Sequence, residues 1–428
     1  MLPIYNLSFY IILPFLPIRL LWRSRKNKAY KECWAERFGY IQNQDLKNEG
    51  HIWLHAVSLG ESIAATPLIK SLQKKYPNNK IVVTTMTPTG REFLKKTFGD
   101  SIIQLYVPYD FSGAVKRFLK AIRPKILVIM ETELWPNILY YCNKQKIPVV
   151  LANACLSNES FMGYKKIKWF SKKMLDCLTH VLTQSENDSA KFLELGLDHK
   201  KLLVAGNIKF DINIPEDVKT KGQALRKLFG GNDRKIFVAA STHKGEEEKI
   251  LAAFNKILQQ MPTALLVLVP RHLERFDEVF VLCQKSGLAT ARFSHLNDAA
   301  IEESTQIVLG DVMGKLLFFY AASDIAFVGG SFVPIGGHNL LEPAALGIAI
   351  LTGPSIENCK ETVAMLLQAN AAIVVNNELE LALQVIKLMQ DDDLRNQYGK
   401  NAAEVVQQNR GVTEKTLGVI NDLLSMVL

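Results

Sequence analysis

The sequence has few cysteines and no pattern of them that would bind a metal. Its six cysteines are scattered through 428 residues without a CxxC pair. This spacing argues against a zinc knuckle and provides no disulfide framework, as expected of a protein from a reducing compartment. We interpret all six as structural thiols: Cys33, Cys142, Cys155, Cys177, Cys283 and Cys359.

Short nucleotide-binding and metal-binding motifs are also missing. There is no GxGxxG after the first predicted strand and no GxxxxGK[ST], so neither a dinucleotide fingerprint nor a P-loop is supported. No DxD follows a predicted strand, and no His, Asp or Glu spacing completes a metal site. We therefore predict no metal centre.

The longest N-terminal apolar run, Leu7–Ile18, is short for a membrane span, which needs about 20 residues. Pro14 and Pro17 disfavour a straight helix, and the absence of a small-residue cleavage site argues against a signal peptide. We predict an uncleaved membrane anchor over residues 1–22, short-spanning or interfacial, with Trp22 near the headgroups. The cations that follow place the body on the cytoplasmic side: Arg19, Arg23, Arg25, Lys26, Lys28 and Lys31.

Positive charge is concentrated in the first half of the chain. Residues 1–209 contain 31 Lys and Arg against 16 Asp and Glu, whereas residues 210–428 contain 20 against 26. A basic lobe can bind nucleic acid, an anionic membrane or a phosphorylated substrate, or it can simply be a soluble cationic surface. Nucleic acid is the weakest of these, because the basic residues do not alternate with aromatic ones.

Apolar, β-branched strands alternate with helical patterns along the whole chain, which predicts parallel sheets covered on both faces. The length favours two domains. The polar stretch 210–217 is the predicted linker between domains at 23–209 and 218–410, and a final helix at 411–428 is expected to pack back toward the first domain. The predicted strands are His51–Val57, Lys80–Met86, Ile102–Val107, Ile126–Met130, Pro148–Ala152, His180–Thr183, Leu202–Val204, Lys235–Ala240, Ala264–Val269, Gln306–Leu309, Asp324–Val328, Ile348–Leu351 and Ala372–Val375.

Ligands of open α/β sheets bind at the carboxyl ends of the strands, so functional residues are expected in the loops that follow strands. After the first strand, "HAVSLGES" places Glu61 at a strand-to-helix junction. Glu61 is either a first-turn charge that gains about 0.3–1 kcal/mol from the helix dipole, or a catalytic base. The two roles are compatible, and the helix N-terminus is expected to lower the pKa of Glu61 and keep it ionised. Ser58 and Gly60 form the same loop, and Gly60 would let a substrate approach.

The loop "ETELWPN" after the fourth strand adds two carboxylates, Glu131 and Glu133, to an otherwise basic domain. Carboxylates in a cleft are usually functional unless an ion pair neutralises them. One could bind a metal, but the rest of a metal site is missing from the sequence.

In the second domain, "GGSFVPIGGHNLLEPAALG" combines five glycines with a helix start. Glycines let the backbone approach a ligand, and helix N-terminal amides can bind an anion. Asn339 and Glu342 are three residues apart and share one face, where Glu342 could accept hydrogen bonds from a ribose. The alternative is that the glycines serve only tight packing.

Three other loops have both a functional and a structural interpretation. "PRH" places Arg271 after a strand, for a phosphate or for a surface ion pair. "GDVMG" could cradle a base, or Met313 could be a core residue. "STHKGEE" fits an ordinary helix cap.

Taken in order behind an N-terminal anchor, "HAVSLGE", "ETELWPN", "GNIKFD", "STHKGEE", "PRH", "GDVMG" and "GGHNLLEPA" closely resemble the bacterial Kdo transferases of lipopolysaccharide synthesis. The resemblance covers nearly the whole chain after the anchor, and the motifs are specific as a set. It implies a GT-B fold, with two Rossmann-like domains facing a central cleft, and an inverting glycosyltransferase. Such an enzyme moves 3-deoxy-D-manno-octulosonic acid (Kdo) from CMP-Kdo to the tetra-acylated, bis-phosphorylated lipid A precursor at the cytoplasmic face of the bacterial inner membrane.

The resemblance also implies roles for individual residues. Glu61 would be the general base, and Glu131 and Lys209 would stabilise the transition state. The reaction would need no metal or other cofactor, with CMP-Kdo as the donor substrate. The positions that would bind the donor are Pro270, Arg271, His272, Asp311, Val312, Met313, Gly337, His338, Asn339, Leu340, Leu341 and Glu342.

Lys315 departs from the family pattern, in which an acidic residue is common after "GDxMG", and would change the local charge near the nucleotide. Two other functions remain open on the sequence. One is a UDP-sugar 2-epimerase, which shares the two-domain architecture and needs no anchor or basic acceptor lobe. The other is a non-catalytic membrane scaffold that only binds an anionic lipid.

Overall fold

The computed structural model describes residues 2–25, 28–41, 46, 50–297 and 299–426. The chain forms two compact units. The first unit contains Met1–Asp211 together with Arg410–Leu428, and the second unit contains Ile212–Asn409.

The strands of the described residues are β1 (His51–His55), β2 (Ile81–Thr85), β3 (Ile103–Tyr106), β4 (Pro124–Met130), β5 (Val149–Ala154), β6 (His180–Thr183), β7 (Leu202–Val204), β8 (Ile236–Thr242), β9 (Leu265–Pro270), β10 (Thr290–Arg292), β11 (Ile307–Leu309), β12 (Ile325–Val328), β13 (Ala349–Thr352) and β14 (Ala372–Val374).

The helices are α1 (Leu2–Ile12), α2 (Phe15–Ser24), α3 (Trp34–Arg37), α4 (Leu59–Ala64), α5 (Thr66–Lys75), α6 (Pro88–Phe98), α7 (Ser112–Ile122), α8 (Pro136–Lys144), α9 (Asn158–Lys166), α10 (Lys168–Asp176), α11 (Glu186–Glu194), α12 (Asp217–Leu228), α13 (Glu247–Gln260), α14 (Phe276–Lys285), α15 (Leu316–Ala322), α16 (Leu341–Ala345), α17 (Lys360–Gln368), α18 (Glu378–Gln390), α19 (Asp392–Gln408) and α20 (Val412–Ser425). Short 3-10 turns connect several of them.

The first unit is built on a parallel sheet with the strand order β3-β2-β1-β4-β5-β6-β7. Neighbouring residues of one strand point to opposite faces of a sheet. Accordingly, Trp53 packs in one hydrophobic cluster and Ile52 and Leu54 pack in another. Both faces are therefore covered, as the continuous apolar strands predict.

The second unit repeats this architecture with a parallel sheet of order β10-β11-β9-β8-β12-β13-β14. Phe237 and Ala239 face one cluster, whereas Ile236 and Val238 face the other. The prediction of two α/β units with covered parallel sheets is confirmed.

All thirteen strands that the sequence predicts are present: β6 and β7 have the predicted boundaries, and the boundaries of the others differ by at most two residues. The prediction misses β10, a three-residue edge strand that pairs only with β11. Its residues are half-buried and include an arginine, so it lacks the apolar run that identified the other strands.

The C-terminal helix α20 belongs to the first unit. Its Leu417, Ile420 and Leu424 pack in the cluster that also contains Ile52 and Leu54. The carboxylate of Asp211 accepts hydrogen bonds from the backbone N–H groups of Gly411 and Thr413, which fixes the start of α20 where the chain re-enters the unit.

At the N-terminus, α1 and α2 lie against the first unit. Leu16 is buried with Tyr109 and Phe111, and the Tyr5 hydroxyl donates to Asp110 at 3.0 Å. Among the described residues, no helix combines the length and the apolar character needed to cross a membrane. The opposite side of these helices exposes a row of large apolar side chains: Leu7, Ile11, Ile12, Phe15, Ile18, Leu21 and Trp22.

Candidate active site

In each sheet the strand order reverses between two adjacent strands, β1 and β4 in the first unit and β8 and β12 in the second. Ligands of open parallel sheets bind at such a switch point, beyond the carboxyl ends of the strands. Glu61 and Glu131 follow β1 and β4, while His243 and His338 follow β8 and β12. Each unit therefore presents one group of polar residues at the expected edge of its sheet.

Glu61 is the third residue of α4 and forms a capping box with Ser58. The Ser58 hydroxyl accepts the N–H of Glu61 at 3.2 Å, and the Glu61 carboxylate accepts the N–H of Ser58 at 3.2 Å and that of Val57 at 2.8 Å. These contacts hold the carboxylate in one position, with only 6% of the residue exposed. Gly60 is exposed, and a Cβ at this position would meet only the Ser58 hydroxyl, at 3.7 Å.

The prediction that the helix N-terminus lowers the pKa of Glu61 is wrong. Burial raises the pKa of Glu61 to about 7, and the bonds from Ser58 and Val57 oppose this rise only in part. The neighbouring carboxylates Glu133 and Glu131 raise it further. Desolvation disfavours the charged form of a carboxylate, and here it outweighs the short helix α4. Near neutral pH, Glu61 therefore exchanges its proton readily.

Glu131 directly follows β4 and adopts a left-handed backbone conformation with φ 56°. Its N–H donates to Ala152 O at 2.9 Å, which keeps this residue attached to the sheet. Burial raises the pKa of Glu131, whereas the ammonium group of Lys209 acts to lower it. The structure thus brings Glu131 close enough to Lys209 and to Glu61 for their charges to interact.

Asn153, which was not among the predicted site residues, positions the turn that contains Lys209. Asn153 follows Ala152 near the end of β5 and also has φ 56°. Its Oδ1 accepts the N–H of Ile208 at 2.9 Å, and the Asn207 side chain accepts the N–H of Lys209 at 3.0 Å. Asn153 and the "GNIKFD" segment that it contacts are far apart in the chain, so a single sequence contains no pattern that connects them.

Glu133, the second carboxylate of "ETELWPN", has a structural partner. Its Oε2 accepts the indole N–H of Trp135 at 2.7 Å, and the Trp135 ring packs edge-on against His55 at 5.2 Å between centroids. His55 is fully buried, and burial lowers its pKa to about 3, so its imidazole is neutral. Glu131, rather than Glu133, is therefore the carboxylate near Lys209.

In the second unit, the buried carboxylate of Glu246 organises the glycine-rich loop after β12. It accepts four backbone N–H groups, from Gly330 at 2.7 Å, Ser331 at 3.0 Å, Phe332 at 2.8 Å and His243 at 3.0 Å. The motif "STHKGEE" had predicted an ordinary helix cap, and nothing in its local pattern indicates this role of Glu246. The adjacent Glu247 accepts from the Thr242 hydroxyl at 2.9 Å and pairs with Arg275 at 2.6 Å.

Two of the loop glycines are required by the protein itself. A Cβ at Gly329 would lie 2.8 Å from Ser241 O, and one at Gly330, where φ is 71°, would lie 2.8 Å from the His338 ring. Both distances are too short for a real side chain. The packing interpretation therefore holds for these two glycines: the backbone at Gly329 lies close to β8, and the backbone at Gly330 lies close to the His338 ring.

Three histidines and one arginine meet at this loop. His243 Nε2 lies 2.7 Å from His338 Nε2, and the His243 and His272 rings are 5.2 Å apart between centroids. Burial lowers the pKa of His338 to about 4, and Arg271 and the two other histidines lower it further. Arg271 is exposed and makes no salt bridge with any other described residue. Among the described residues, Arg271 is therefore not part of a surface ion pair. This group can bind an anion.

The segment after these histidines forms a smaller helix than expected. Helix α16 has only five residues, and Asn339 Oδ1 already accepts the N–H of Leu341 at 3.0 Å, so this amide is not free for an anion. Asn339 Nδ2 lies 3.4 Å from Glu342 Oε1, which confirms that the two side chains share a face. Burial raises the pKa of Glu342, while Asn339 and Arg271 oppose the rise. Leu340 and Leu341 are core residues, and Gly337 N donates to Gly330 O at 2.8 Å.

The remaining predicted donor positions lie at neighbouring strand ends. Pro270 is the last residue of β9, and Asp311–Met313 follow β11. The Asp311 carboxylate accepts from Ser294 N at 2.8 Å and Ser294 Oγ at 2.7 Å, so its side chain orders a neighbouring turn. Met313 is 61% exposed and is not a core residue. Lys315 lies over the Phe318 ring at 5.1 Å.

Among the described residues, no group of three or more His, Cys, Asp or Glu side chains is arranged to hold a metal ion.

Comparisons with known proteins agree with this division of the chain. Residues 32–212 match the family model for 3-deoxy-D-manno-octulosonic-acid transferase, and residues 227–405 match the model for glycosyl transferases group 1. The chain is 39% identical over 402 residues to a 3-deoxy-D-manno-octulosonic acid transferase of Haemophilus influenzae, covering 94% of this chain and 93% of the relative.

Two solved structures share the fold at low sequence identity. A glycosyltransferase from Rickettsia africae is 15% identical, with a TM-score of 0.55 over 88% of this chain and 99% of its own. A UDP-GlcNAc 2-epimerase from Neisseria meningitidis is 16% identical, with a TM-score of 0.52 over 87% of this chain and 100% of its own. At this level of identity the likeness shows the two-domain, GT-B-like fold and nothing about the reaction.

Proposed function

This chain belongs to the family of 3-deoxy-D-manno-octulosonic acid (Kdo) transferases, the glycosyltransferases that add Kdo in lipopolysaccharide synthesis, and we propose that it moves Kdo from CMP-Kdo to the tetra-acylated, bis-phosphorylated lipid A precursor. CMP would be the second product. The observation that carries the proposal is Glu61, a buried carboxylate held by its capping box at the switch point of the first sheet.

We propose Glu61 as the general base of an inverting transfer. The acceptor hydroxyl oxygen attacks the anomeric carbon of Kdo and forms the new glycosidic bond. Its proton passes to Glu61, and the bond from the anomeric carbon to the phosphate oxygen breaks with both electrons going to CMP. A base acts best when its pKa lies near the working pH, and the pKa of Glu61 is about 7.

Charge develops in the transition state and on the departing phosphate of CMP, and each unit has a cation suited to stabilise it. We propose that Lys209, held beside Glu131, stabilises charge in the transition state, as the resemblance implies. In the second unit, Arg271 is an exposed cation next to His338 and is suited to the phosphate of the donor. The donor would then be a substrate, with no further cofactor required.

The acceptor assignment rests on the charge of the first half of the chain. Residues 1–209 carry an excess of cations, which suits a glycolipid with two phosphate groups. Several of these cations lie on α9 and α10, where Met162 and Trp169 are also exposed, as is Ile167 between the two helices. The Lys173 ammonium lies 3.8 Å from the centre of the Trp169 ring.

We propose that the first unit attaches to the inner membrane at its cytoplasmic face through an interfacial surface. One part is the exposed apolar row of α1 and α2, and the other is the α9–α10 segment, whose helix α10 approaches α1 where the Tyr5 and Phe170 rings lie 6.5 Å apart. Apolar residues flanked by lysine and arginine are typical of helices that lie in the headgroup region of a bilayer.

The direct test is to incubate the purified protein with CMP-Kdo and the tetra-acylated precursor and to weigh the lipid product. We expect a mass increase corresponding to added Kdo, together with release of CMP. No lipid product, combined with conversion of UDP-N-acetylglucosamine to its 2-epimer, would favour the epimerase instead. Binding of the lipid without consumption of CMP-Kdo would favour the scaffold.

A further inference from the structure

The contact between His243 and His338 is a hydrogen bond in the plane of both rings. The two ring planes differ by 13°, and the centroids are 5.0 Å apart. The Nε2 atoms are only 2.7 Å apart, so the difference between the two distances is about twice the distance from the centre of an imidazole ring to one of its atoms. Each Nε2 atom therefore lies on the line that joins the two ring centres. The imidazoles therefore meet edge to edge, with the two Nε2 atoms pointing at each other.

This geometry fixes the number of protons between the rings. A neutral imidazole has one N–H and one acceptor nitrogen, so one Nε2 must donate and the other must accept. If one proton is added, the pair becomes an imidazolium that still donates to its neutral partner, and the 2.7 Å contact is kept. A second added proton would place two N–H groups against each other. The pair can therefore hold a charge of zero or of plus one.

Burial, assisted by nearby cationic residues, keeps the pair neutral in the free protein. Glu246, on the same loop as His243, favours a positive charge, while Arg271, His272 and Arg275, from the segment after β9, disfavour one. Burial is the largest cause of the lowered pKa values of both His243 and His338. An anion bound beside Arg271 would offset the repulsion from these cations.

We infer that the His243–His338 pair takes up one proton from solvent when the phosphate of the nucleotide binds in the second unit, and releases it when the nucleotide leaves. This inference rests on the proposed function for the identity of the nucleotide. In CMP-Kdo the phosphate is a diester with one negative charge, whereas in CMP it is a monoester with close to two at neutral pH. The pair would supply a compensating positive charge as the leaving phosphate gains its second negative charge.

A purely structural role must be distinguished from this one. The bond also joins the loop after β8 to the loop after β12, which Glu246 already connects. A glutamine at position 243 can still hydrogen-bond to His338 but cannot bind a proton in this pH range. A structural role would be preserved in His243→Gln, whereas proton uptake would be lost.

The test is calorimetric titration of the full-length protein with CMP in buffers of different ionisation enthalpy, from pH 7.0 to 8.5. CMP is close to fully ionised in most of this range, so uptake reports mainly on the protein. For the wild type we expect uptake approaching one proton per CMP, with affinity falling as pH rises, at most tenfold per pH unit. The matched control His199→Gln removes an exposed imidazole of the first unit and should behave like the wild type.

The expected result is that His243→Gln still binds CMP but with little proton uptake and a flatter pH dependence. Equal uptake in His243→Gln and the wild type, or no uptake in the wild type, would overturn the inference while leaving the proposed function intact. Failure of the wild type to bind CMP at all would instead overturn the nucleotide assignment and, with it, this inference.

A second measurement does not depend on the variant. In protein labelled with nitrogen-15 at histidine, a scalar coupling between the Nε2 atoms of His243 and His338 would report the hydrogen bond directly. Addition of CMP should move the signals of both rings toward the imidazolium range. Unchanged signals at saturating CMP would contradict proton uptake.

Discussion

The Glu246 carboxylate accepts the backbone N–H of Gly330 at 2.7 Å, and this contact joins the loop after β8 to the loop after β12. Glu246 is fully buried, and both of its oxygens are used by backbone N–H groups of the second unit. The shape of the loop that presents His338 therefore depends on the two carboxylate oxygens of Glu246, three residues after His243.

Glu246→Gln tests this dependence. An amide has only one oxygen, so its NH₂ group would face backbone N–H groups, and at least one buried donor would lose its partner. We expect a loss of about 1–3 kcal/mol or more in the free energy of unfolding of the second unit, together with weaker CMP binding. Thermal unfolding and CMP titration measure the two effects. Glu248→Gln, at an exposed position of α13, is the matched control. Equal stability of the two variants would contradict the role of Glu246.

The pKa of Glu61 predicts how transfer depends on pH. The base must be deprotonated, and burial raises its pKa to about 7, so the rate should rise from pH 6 to pH 8 and then level off. The Ser58 hydroxyl acts to lower this pKa. In Ser58→Ala the rise should therefore shift to higher pH, with the plateau rate less affected. A pH profile that moves the other way, or does not move, would count against Glu61 as the titrating group.

Because Glu131 has a left-handed backbone conformation, replacing it can distinguish an effect on the stability of the protein from an effect on transfer. A non-glycine residue at φ 56° costs about 1 kcal/mol, and Glu131 also has a raised pKa through burial. Glu131→Gly removes both costs, so its unfolding temperature should be unchanged or higher while transfer is strongly reduced. Lys146→Gly is the matched control, since Lys146 is exposed and also has φ 56°. It should keep full activity. Full activity in Glu131→Gly would exclude a catalytic role.

The proposed membrane surface is tested by co-sedimentation with vesicles rich in anionic phospholipid. Phe15 and Ile18 are each 62% exposed on α2, so replacing both with aspartate should not disturb the core but should strongly reduce vesicle binding. Leu383→Asp is the control, because Leu383 is 63% exposed on α18 of the second unit. Equal vesicle binding by all of these proteins would contradict an interfacial role for α2.

Much of the fold follows from local patterns, because buried parallel strands are continuous apolar runs that single-sequence reasoning detects. Edge strand β10 was missed since its Thr290–Arg292 residues are only half-buried and have no such run. The position of Glu61 was equally predictable, because "HAVSLGES" places it where the first apolar strand gives way to a helix.

What the sequence did not reveal depends on contacts between distant segments. The pKa of Glu61 reflects burial and two carboxylates some seventy residues away in the chain, so its net shift is opposite to the one expected from the local helix alone. The pairing of His243 with His338 spans 95 residues. Glu246 looked like a helix-capping acid, because its backbone partners lie after a different strand.

The most direct test of the mechanism is the turnover of Glu61→Gln with CMP-Kdo and the lipid A precursor. Glutamine has one oxygen, so it can keep only one of the two backbone contacts that the Glu61 oxygens make, while the Ser58 hydroxyl still accepts the N–H of residue 61. At pH 8 the substitution also removes a carboxylate whose raised pKa makes it less stabilising as pH rises through about 7, which offsets part of this loss. The variant should therefore fold with a modest loss of stability and bind CMP normally, because the predicted CMP-binding residues lie in the second unit. We predict that its kcat falls about 100- to 10,000-fold. A folded, CMP-binding Glu61→Gln variant with near-normal turnover would contradict the assignment of Glu61 as the base.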